Sequence, residues 1–380
     1  MGTVYFGGCM NLITDPRQEA MTVFLAQSGW GTAELKPLPG DASTRRYVRL
    51  QMGGRTAMLM DQPQNAEAPT AGPDATPEAR RALGYNAMAR LAGADCGRFV
   101  ATARYLKSCG LAAPEVLSAD VAQGFLVLED LGDDLYTDVI AKGGDERAMY
   151  QAAIEALARL HAKPAPAWLN PEKPLFAYDE TAMIAEIDLL TEWFWPLALT
   201  RAAGADLVDE HRALWRNVLR GLGDGRVFVH RDFHAQNLLW RTGQTGLARV
   251  GIVDFQDALA GAPAYDVVSL LEDARRDVTP ELAEAMAESY IAASKKEGVA
   301  LDPAHFRLTA AVLAAQRNAK IIGIFARLFK RDDKPRYLGH LPRVWRYMEH
   351  DLKHPALAKL RSWYDRHIPQ EARAIRVEAA

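Results

Sequence analysis

The sequence predicts an α+β protein of two lobes, with a small antiparallel sheet in the N-terminal lobe and a larger, mainly helical C-terminal lobe. Short β-rich runs separated by turn residues fill the first 130 positions, whereas patterns of helical period dominate the remainder. The chain has 380 residues, which exceeds the length at which one core keeps growing. Hydrophobic residues make up 49% of it, enough to fill two cores.

The N-terminal lobe is predicted to span residues 15–130. Residues 1–14 are interpreted as a disordered leader, because Gly7-Gly8-Cys9 lacks the basic start and apolar stretch of a signal peptide. The patterns predict a helix at 16–28, strands at 35–38, 47–50 and 56–60, a helix at 99–109 and strands at 114–117 and 124–128. Together they make a five-stranded lobe with packed helices.

The sheet is predicted to carry an insertion near residues 62–95. Four prolines and many alanines mark this segment as a mobile excursion, which ends in a short helix at about 78–91. We expect it to act as an insertion or a lid.

The helical lobe is predicted to span residues 131–375, because the sheet ends at Leu131-Gly132. Apolar residues recur at helical spacing over 147–162, 183–194 and 209–221, and helices continue to about residue 368. The aromatic run Trp193-Phe194-Trp195 could stack under a sugar ring, but such a cluster at a helix end is more typical of a core.

Composition excludes several classes of protein. A net charge of -3 gives no overall attraction to nucleic acid, and charges interrupt every apolar run before it reaches membrane-spanning length. Three widely spaced cysteines argue against a disulfide framework and favour the reducing cytoplasm. The sequence therefore predicts a cytoplasmic protein with no nucleic-acid or membrane partner, for which a monomer is favoured.

The segment 229–237, Val-His-Arg-Asp-Phe-His-Ala-Gln-Asn, together with Ile-Val-Asp-Phe at 252–255, carries the most specific chemical signal. Phosphoryl transfer needs a group that positions the acceptor hydroxyl and a metal that neutralises phosphate charge. Asp232 suits the first task. Asn237 and Asp254 suit the second, because Mg²⁺ prefers hard oxygen ligands. The pattern predicts a kinase that uses ATP and Mg²⁺.

His230 and His234 have the spacing of a zinc site on a helix, but no glutamate base stands beside the first histidine and no third ligand is evident. We therefore expect His230 to brace the catalytic loop through backbone hydrogen bonds.

A loop with one glycine at 40–46 lies between the first two predicted strands. Its Ser43, Thr44, Arg45 and Arg46 could donate hydrogen bonds to a polyphosphate. An ordinary hairpin is the alternative, since no Gly-x-Gly repeat is present.

These motifs resemble the aminoglycoside phosphotransferase and choline kinase superfamily, and within it the bacterial anomeric kinases of N-acetylmuramate and N-acetylglucosamine that serve cell-wall recycling. The resemblance covers most of the chain. It rests on the segments 40–47, 128–132, 230–237, 253–258, 265–271 and 316–325. It implies a protein-kinase-like two-lobe fold and a product phosphorylated at the anomeric C1 hydroxyl.

The resemblance also implies residue roles. Asp232 would be the catalytic base, Asn237 and Asp254 would hold Mg²⁺, the backbone from Glu129 to Leu131 would bind adenine, and Asp266 would brace the catalytic loop.

The sequence departs from the family pattern in one respect. Kinases of this fold usually carry a lysine on the third strand, and 56–60 has none. Arg45, Arg46 or Arg49 would then supply the phosphate cation. The departure keeps a second hypothesis open, that of a pseudokinase that binds nucleotide without turnover.

The acceptor is harder to predict than the donor. Arg317, Lys320 and Arg327 share one face of a predicted helix, which is either solvated or lines the acceptor site. In the second case Arg317 could bind the lactyl carboxylate of a muramic sugar and would disfavour a cationic aminoglycoside. Asp257 and Glu192 could contact either kind of acceptor, so an aminoglycoside or other small-alcohol kinase remains the alternative.

Overall fold

The computed structural model describes residues 15–39, 45–63, 70–91, 95–223 and 225–375. The chain divides into two compact units, the first formed by residues up to 66 with 115–130, and the second by 67–114 with 131 onward. Several predicted features lie outside the described residues, namely the leader 1–14, most of the glycine loop (40–44) and two stretches of the insertion (64–69 and 92–94).

The first unit contains helix α1 (Pro16–Gln27) and one antiparallel sheet. Its strands are β1 (Glu34–Pro37), β2 (Arg46–Met52), β3 (Arg55–Asp61), β4 (Val116–Asp120) and β5 (Phe125–Leu128). They lie in the order β1-β2-β3-β5-β4. A tight turn at Gly53 and Gly54 joins β2 to β3, and both glycines have a positive φ, which a side chain would disfavour.

Helix α1 covers one face of this sheet. Phe24 of the helix stacks on Phe125 of β5 with ring centroids 5.6 Å apart, and Leu50, Leu59 and Val127 belong to the same buried cluster. The apolar residues of the strands thus meet the apolar face of one helix.

The second unit is mainly helical. Its helices are α2 (Pro77–Leu83), α3 (Cys96–Ser108), α4 (Tyr136–Ala141), α5 (Glu146–Leu160), α6 (Glu180–Leu189), α7 (Trp195–Leu199), α8 (Ala205–Leu219), α9 (Ala264–Leu271), α10 (Pro280–Lys296), α11 (Pro303–Asp332), α12 (Leu341–Asp351), α13 (Ala358–His367) and α14 (Gln370–Arg373). Its strands form three antiparallel pairs: β6 (Trp168–Asn170) with β7 (Lys173–Pro174), β8 (Val227–Val229) with β11 (Leu259–Gly261), and β9 (Leu238–Trp240) with β10 (Val250–Ile252). Two π-helical turns occur, at Asn86–Arg90 and Leu190–Phe194.

Helix α11 organises this unit. It begins at Pro303, where the side chain of Asp302 caps the first turn, and it packs against α6, α9 and α12 over its 30 residues. The aromatic run at the junction of the Leu190–Phe194 turn and α7 lies mostly in the core, since Phe194 and Trp195 are buried. The core interpretation of that run is therefore confirmed for these two rings.

The predicted fold class is confirmed, with a small antiparallel sheet and a mostly helical remainder. The sequence predicts that the segment 67–114 belongs to the sheet lobe, but in the structure it groups with the helical unit. Its contacts explain this. Arg80 pairs with Asp179 at 2.5 Å, and Arg231 donates to the carbonyl of Ala89 at 2.7 Å. Within the described ranges no helix has the length and apolar character that a membrane span requires.

Candidate active site

The predicted catalytic loop lies between the short strands β8 and β9 of the helical unit, which belong to different two-stranded sheets. It follows β8, passes through a 3-10 turn at Ala235–Asn237 and enters β9. Phe233 and Leu238 are buried and anchor the loop in the hydrophobic core. Arg231 and Asp254 adopt left-handed backbone conformations with φ of 80° and 61°, which are uncommon for residues with a side chain and concentrate at functional sites.

Asp266, on the first turn of α9, holds this loop in shape. Its buried carboxylate accepts the backbone N–H groups of His230 at 2.7 Å and Arg231 at 2.8 Å. His230 in turn has Nε2 at 3.0 Å from the Val253 carbonyl, which can only accept, so Nε2 carries the proton. The predicted supporting residues His230 and Asp266 thus connect the loop to the residue before Asp254.

Asn237 and Asp254, the predicted metal ligands, lie side by side. The amide Nδ2 of Asn237 is 2.9 Å from the Asp232 carbonyl oxygen and 3.3 Å from Asp254 Oδ2. Donation by Nδ2 leaves Oδ1 of Asn237 available as a ligand. Gln256 donates to Asp254 Oδ1 at 3.0 Å and orients that carboxylate.

This pair fits magnesium better than zinc. The described part of the chain holds no group of three or more His, Cys, Asp or Glu side chains suited to a metal. Mg²⁺ commonly takes one or two protein oxygens and completes its shell with water and phosphate oxygens. His234 is buried, and burial lowers its pKa to about 4, so its ring is neutral near pH 7.

Asp232 is half-buried, and its carboxylate accepts no hydrogen bond from the residues that the structure describes. Desolvation would raise its pKa, but nearby positive charges outweigh that effect and hold the pKa at about 2. These charges are Lys320, His234, Arg231 and Arg317, of which His234 is charged only at acidic pH. The carboxylate is therefore ionised at any physiological pH and can accept a hydrogen bond from an acceptor hydroxyl.

A buried ion cluster lies beside this base. Glu186 of α6 is fully buried, and it contacts Arg231 through Nη2 and Lys320 through Nζ at 2.9 Å. It also accepts hydrogen bonds from the Tyr178 hydroxyl and, at 3.0 Å, from Gln316 Nε2. Removal from water would raise the pKa of Glu186, but Lys320 and Arg231 lower it to about 2.

The helix face with three cations is not solvated, so that alternative is wrong. Arg317 is 5% exposed, and its Nη1 donates to the Glu272 carbonyl at 3.1 Å. Among the described residues no carboxylate oxygen lies within ion-pair distance of its guanidinium. Arg327 lies further along the same helix, and its Cζ atom is 4.7 Å from the centroid of the Tyr85 ring, over which it stacks.

The two acidic acceptor candidates lie in different surroundings. Asp257 is mostly buried and pairs with Arg90 at 3.2 Å, and Gln256 Nε2 lies 3.0 Å from Asp254 Oδ1 and 3.5 Å from Asp257 Oδ2. Glu192 is exposed, and its charged neighbours are Asp188, Arg212 and Arg327. Asp257 therefore lies near Asp254, whereas no contact ties Glu192 to the described residues of the catalytic loop.

The predicted nucleotide residues belong mostly to the first unit. Ser43 and Thr44 lie outside the described residues, and Arg45 is buried. Arg46 pairs with Asp61 at 2.5 Å, and Arg49 pairs with Asp130 at 2.8 Å. The Glu129 backbone N–H donates to the Glu115 carbonyl, and Leu131 begins the second unit. Their role in binding adenine and phosphate stays a prediction.

No role was predicted from the sequence for four residues of the site, namely Glu186, Gln316, Gln256 and Arg90, although Gln256 and Gln316 lie in the motif segments. Glu186 sits on a helix whose other residues are largely apolar, and a carboxylate at such a position was the available signal. Gln256 could have been recognised from its place two residues after Asp254 on the same turn.

The fold and the site define a phosphotransferase with a kinase-like arrangement. The chain belongs to the phosphotransferase enzyme family, whose model matches residues 34–303. It is similar to an N-acetylmuramate/N-acetylglucosamine kinase of Caulobacter vibrioides, with 44% identity over 368 residues that cover 95% of this chain and 99% of that protein. A protein of the same description from Pseudomonas aeruginosa is 34% identical and covers 89% and 90% of the two chains.

Solved structures show the same fold. A choline/ethanolamine kinase family protein from Mesorhizobium loti superposes with a TM-score of 0.53 at 16% identity, over 91% of this chain and 98% of that one. An ADP-bound aminoglycoside phosphotransferase, APH(2'')-Ib, gives a TM-score of 0.52 at 16% identity, over 87% and 97%. The resemblance stated from the motifs is confirmed.

Proposed function

We propose that this protein is an ATP-dependent kinase that phosphorylates the anomeric C1 hydroxyl of N-acetylmuramate, N-acetylglucosamine or both, in the recycling of cell-wall sugars. The main support is 44% identity along nearly the whole chain to a kinase named for these two sugars. The site supports the same chemistry, because an ionised Asp232 lies beside the pair Asn237 and Asp254. Since ATP is the donor, we place the reaction in the cytoplasm.

In this proposal Asp232 accepts the hydrogen bond of the acceptor hydroxyl and orients its oxygen toward the phosphorus atom. An anomeric hydroxyl is more acidic than an ordinary alcohol, because the ring oxygen withdraws electron density. A carboxylate with a pKa of about 2 is a weak base, so it suits a hydroxyl that needs positioning more than deprotonation.

Asn237 Oδ1 and the Asp254 carboxylate would hold Mg²⁺ together with phosphate oxygens of ATP. When bound, the metal would neutralise charge on the transferred phosphoryl group. Hydrogen bonds within the protein orient both ligands, since the Asp232 carbonyl accepts from Asn237 and Gln256 donates to Asp254.

Arg317 is the residue we propose for the acidic acceptor. Its positive charge is one of those that lower the pKa of the Asp232 carboxyl, and among the described residues its only hydrogen-bond partner is a backbone carbonyl. A lactyl carboxylate would give the guanidinium a full counter-charge. The positive charges of Lys320 and Arg231, which act on Asp232, also make a polycationic aminoglycoside an unfavourable acceptor.

The test is an acceptor assay on the purified protein with ATP and Mg²⁺. N-acetylmuramate and N-acetylglucosamine should be consumed, whereas aminoglycosides, choline and homoserine should not. Phosphorus NMR should show coupling of the new phosphate to the anomeric proton, and the product should lose its reducing end. A 6-phosphate would contradict the regiochemistry, and nucleotide binding without turnover of any acceptor would favour a pseudokinase.

A further inference from the structure

A carboxylate far from the catalytic loop in sequence makes contact with both cations that flank Asp232. Glu186 lies 45 residues before Arg231 in the chain, and the two side chains are paired in the buried interior. Its Oε1 atom is also 2.9 Å from Lys320 Nζ. Asp232 contributes no hydrogen bond to this cluster, so Glu186 contacts the neighbours of the base and not the base itself.

The Glu186 carboxylate at the centre of the cluster has several hydrogen-bond donors. Besides the two cations, Glu186 accepts from the Tyr178 hydroxyl and from Gln316. Lys320 Nζ is also 3.4 Å from the Tyr265 hydroxyl. A buried ion group of this kind loses much of its Coulombic gain to desolvation, so it is weak evidence for stability alone. Stability alone therefore does not explain why Glu186 contacts two cations next to the catalytic base.

Arg231 connects Glu186 to the backbone of the base. It directly precedes Asp232 and holds a left-handed backbone conformation. Its guanidinium is fixed by Glu186 and by the carbonyls of Ala89 at 2.7 Å and Arg90 at 3.3 Å. With both ends of the residue held, the direction in which the next side chain leaves the backbone is fixed as well.

Lys320 connects Glu186 to the charge of the base. Among the charged groups around Asp232, Lys320 has the largest effect on that carboxyl. Glu186 holds the ammonium group at one point of α11 and supplies its counter-charge. Without Glu186, the ammonium would lose the carboxylate that it contacts, and the charge of Asp232 would draw it toward the base.

We propose that Glu186 is a positioning residue for phosphoryl transfer, which acts through Arg231 and Lys320 to keep the Asp232 carboxylate oriented and free for the acceptor hydroxyl. The inference rests on the proposed function, because its test measures kcat with an amino sugar that the enzyme phosphorylates.

The test compares Glu186→Gln with the wild type in the amino-sugar assay. The amide keeps the shape of the side chain and removes its charge. We expect kcat to fall about ten- to a hundredfold, the range for a reacting group displaced by about 1 Å, while the KM for ATP stays within about twofold. Glu186→Asp should recover part of the lost kcat.

A matched control lies on the same helix. Asp188 is also mostly buried and pairs with Arg212 at 2.9 Å, but it makes no contact with the described residues of the catalytic loop. Asp188→Asn should lower thermal stability and leave kcat per folded molecule unchanged. An equal loss of kcat in both variants, or a normal kcat in Glu186→Gln, would overturn the inference.

If Glu186→Gln does not fold, Tyr178→Phe decides the question. This variant keeps every charge and removes only one donor to Glu186, so kcat should fall about two- to tenfold. Wild-type kcat in Tyr178→Phe would then count against the inference. A wild-type enzyme that turns over no amino sugar would instead refute the proposed function, before any variant is compared.

Discussion

Arg231 and Asp254 are held in left-handed backbone conformations that cost about 1–3 kcal/mol each when a residue carries a side chain. Both occur where the chain must turn sharply to present a carboxylate, Asp232 in one case and Asp254 itself in the other. The two hydrogen bonds that Asp266 accepts from the backbone N–H groups of His230 and Arg231 offset the cost at Arg231. At the scale of single residues, the site is therefore a strained loop whose backbone is held by the Asp266 carboxylate.

The first prediction separates the base from the metal ligand. Asp232→Asn keeps the shape of the side chain and removes the carboxylate, so kcat should fall about a hundred- to ten-thousandfold while nucleotide affinity survives. Asp254→Ala should abolish both turnover and the Mg²⁺-dependent part of nucleotide affinity. Calorimetry with and without Mg²⁺, together with steady-state kinetics, checks both variants. Near-normal turnover in Asp232→Asn would refute its role.

A second prediction concerns Arg317. If its guanidinium binds the lactyl carboxylate, Arg317→Ala should lower kcat/KM for N-acetylmuramate about ten- to a hundredfold more than for N-acetylglucosamine, since a hydrogen bond to a charged group contributes about 1.5–3 kcal/mol. The second sugar is the internal control for folding. Equal losses would assign Arg317 to the loop around Glu272, whose carbonyl it contacts, or to the shared part of the site.

The sequence could predict those site residues whose spacing is local. Asp232, Asn237 and Asp254 stand close in the chain, and the structure brings them together. Glu186 could not be found in this way, because its partner Gln316 is 130 residues distant and only helix packing joins them. The state of Arg317 could not be predicted either, since helical spacing gives a face but not what covers it.

At the scale of elements, α11 joins the site to the core. The same helix carries Gln316, Arg317 and Lys320, which reach the ion cluster or the base, and Gly323, which packs directly against α6. The spacing of these residues over about two turns explains why one helix can serve both purposes. The helices were predictable from their periodicity, whereas the grouping of 67–114 with the helical unit depended on tertiary contacts such as the Arg80–Asp179 pair.

The third prediction tests that close packing. An ideal Cβ at Gly323 would lie 2.5 Å from the carbonyl oxygen of Leu189, far inside van der Waals contact. Gly323→Ala should therefore cost about 1–3 kcal/mol of unfolding free energy, as overpacking does in cores. Gly221→Ala is the control, since nothing lies within 4 Å of its added Cβ, and its effect should stay within about 0.5 kcal/mol. Denaturant unfolding of both variants gives the comparison, and equal midpoints would contradict the packing.

At the scale of the whole molecule, stability depends on groups that must stay neutral when buried. His211 of α8 is fully buried, and its Nε2 accepts a hydrogen bond from Trp215 Nε1 at 2.9 Å. An indole N–H can only donate, so Nε2 must be unprotonated. Burial lowers the pKa of His211 to about 3, from an ordinary value of 6.5.

The fourth prediction follows from this difference. Between pH 6.5 and 3 the unfolded chain binds a proton at His211 that the folded protein does not, so lowering the pH favours unfolding. At pH 5 this single group should cost about 2 kcal/mol relative to pH 7.5. His211→Gln keeps an acceptor and cannot titrate, so its stability should fall less between these two pH values. Denaturant unfolding of wild type and variant at both pH values measures the difference between them, in which the other titrating groups cancel. If the two proteins lose the same free energy, His211 binds its proton as readily in the folded protein as in the unfolded chain, and the hydrogen bond from Trp215 cannot have the direction that the geometry requires.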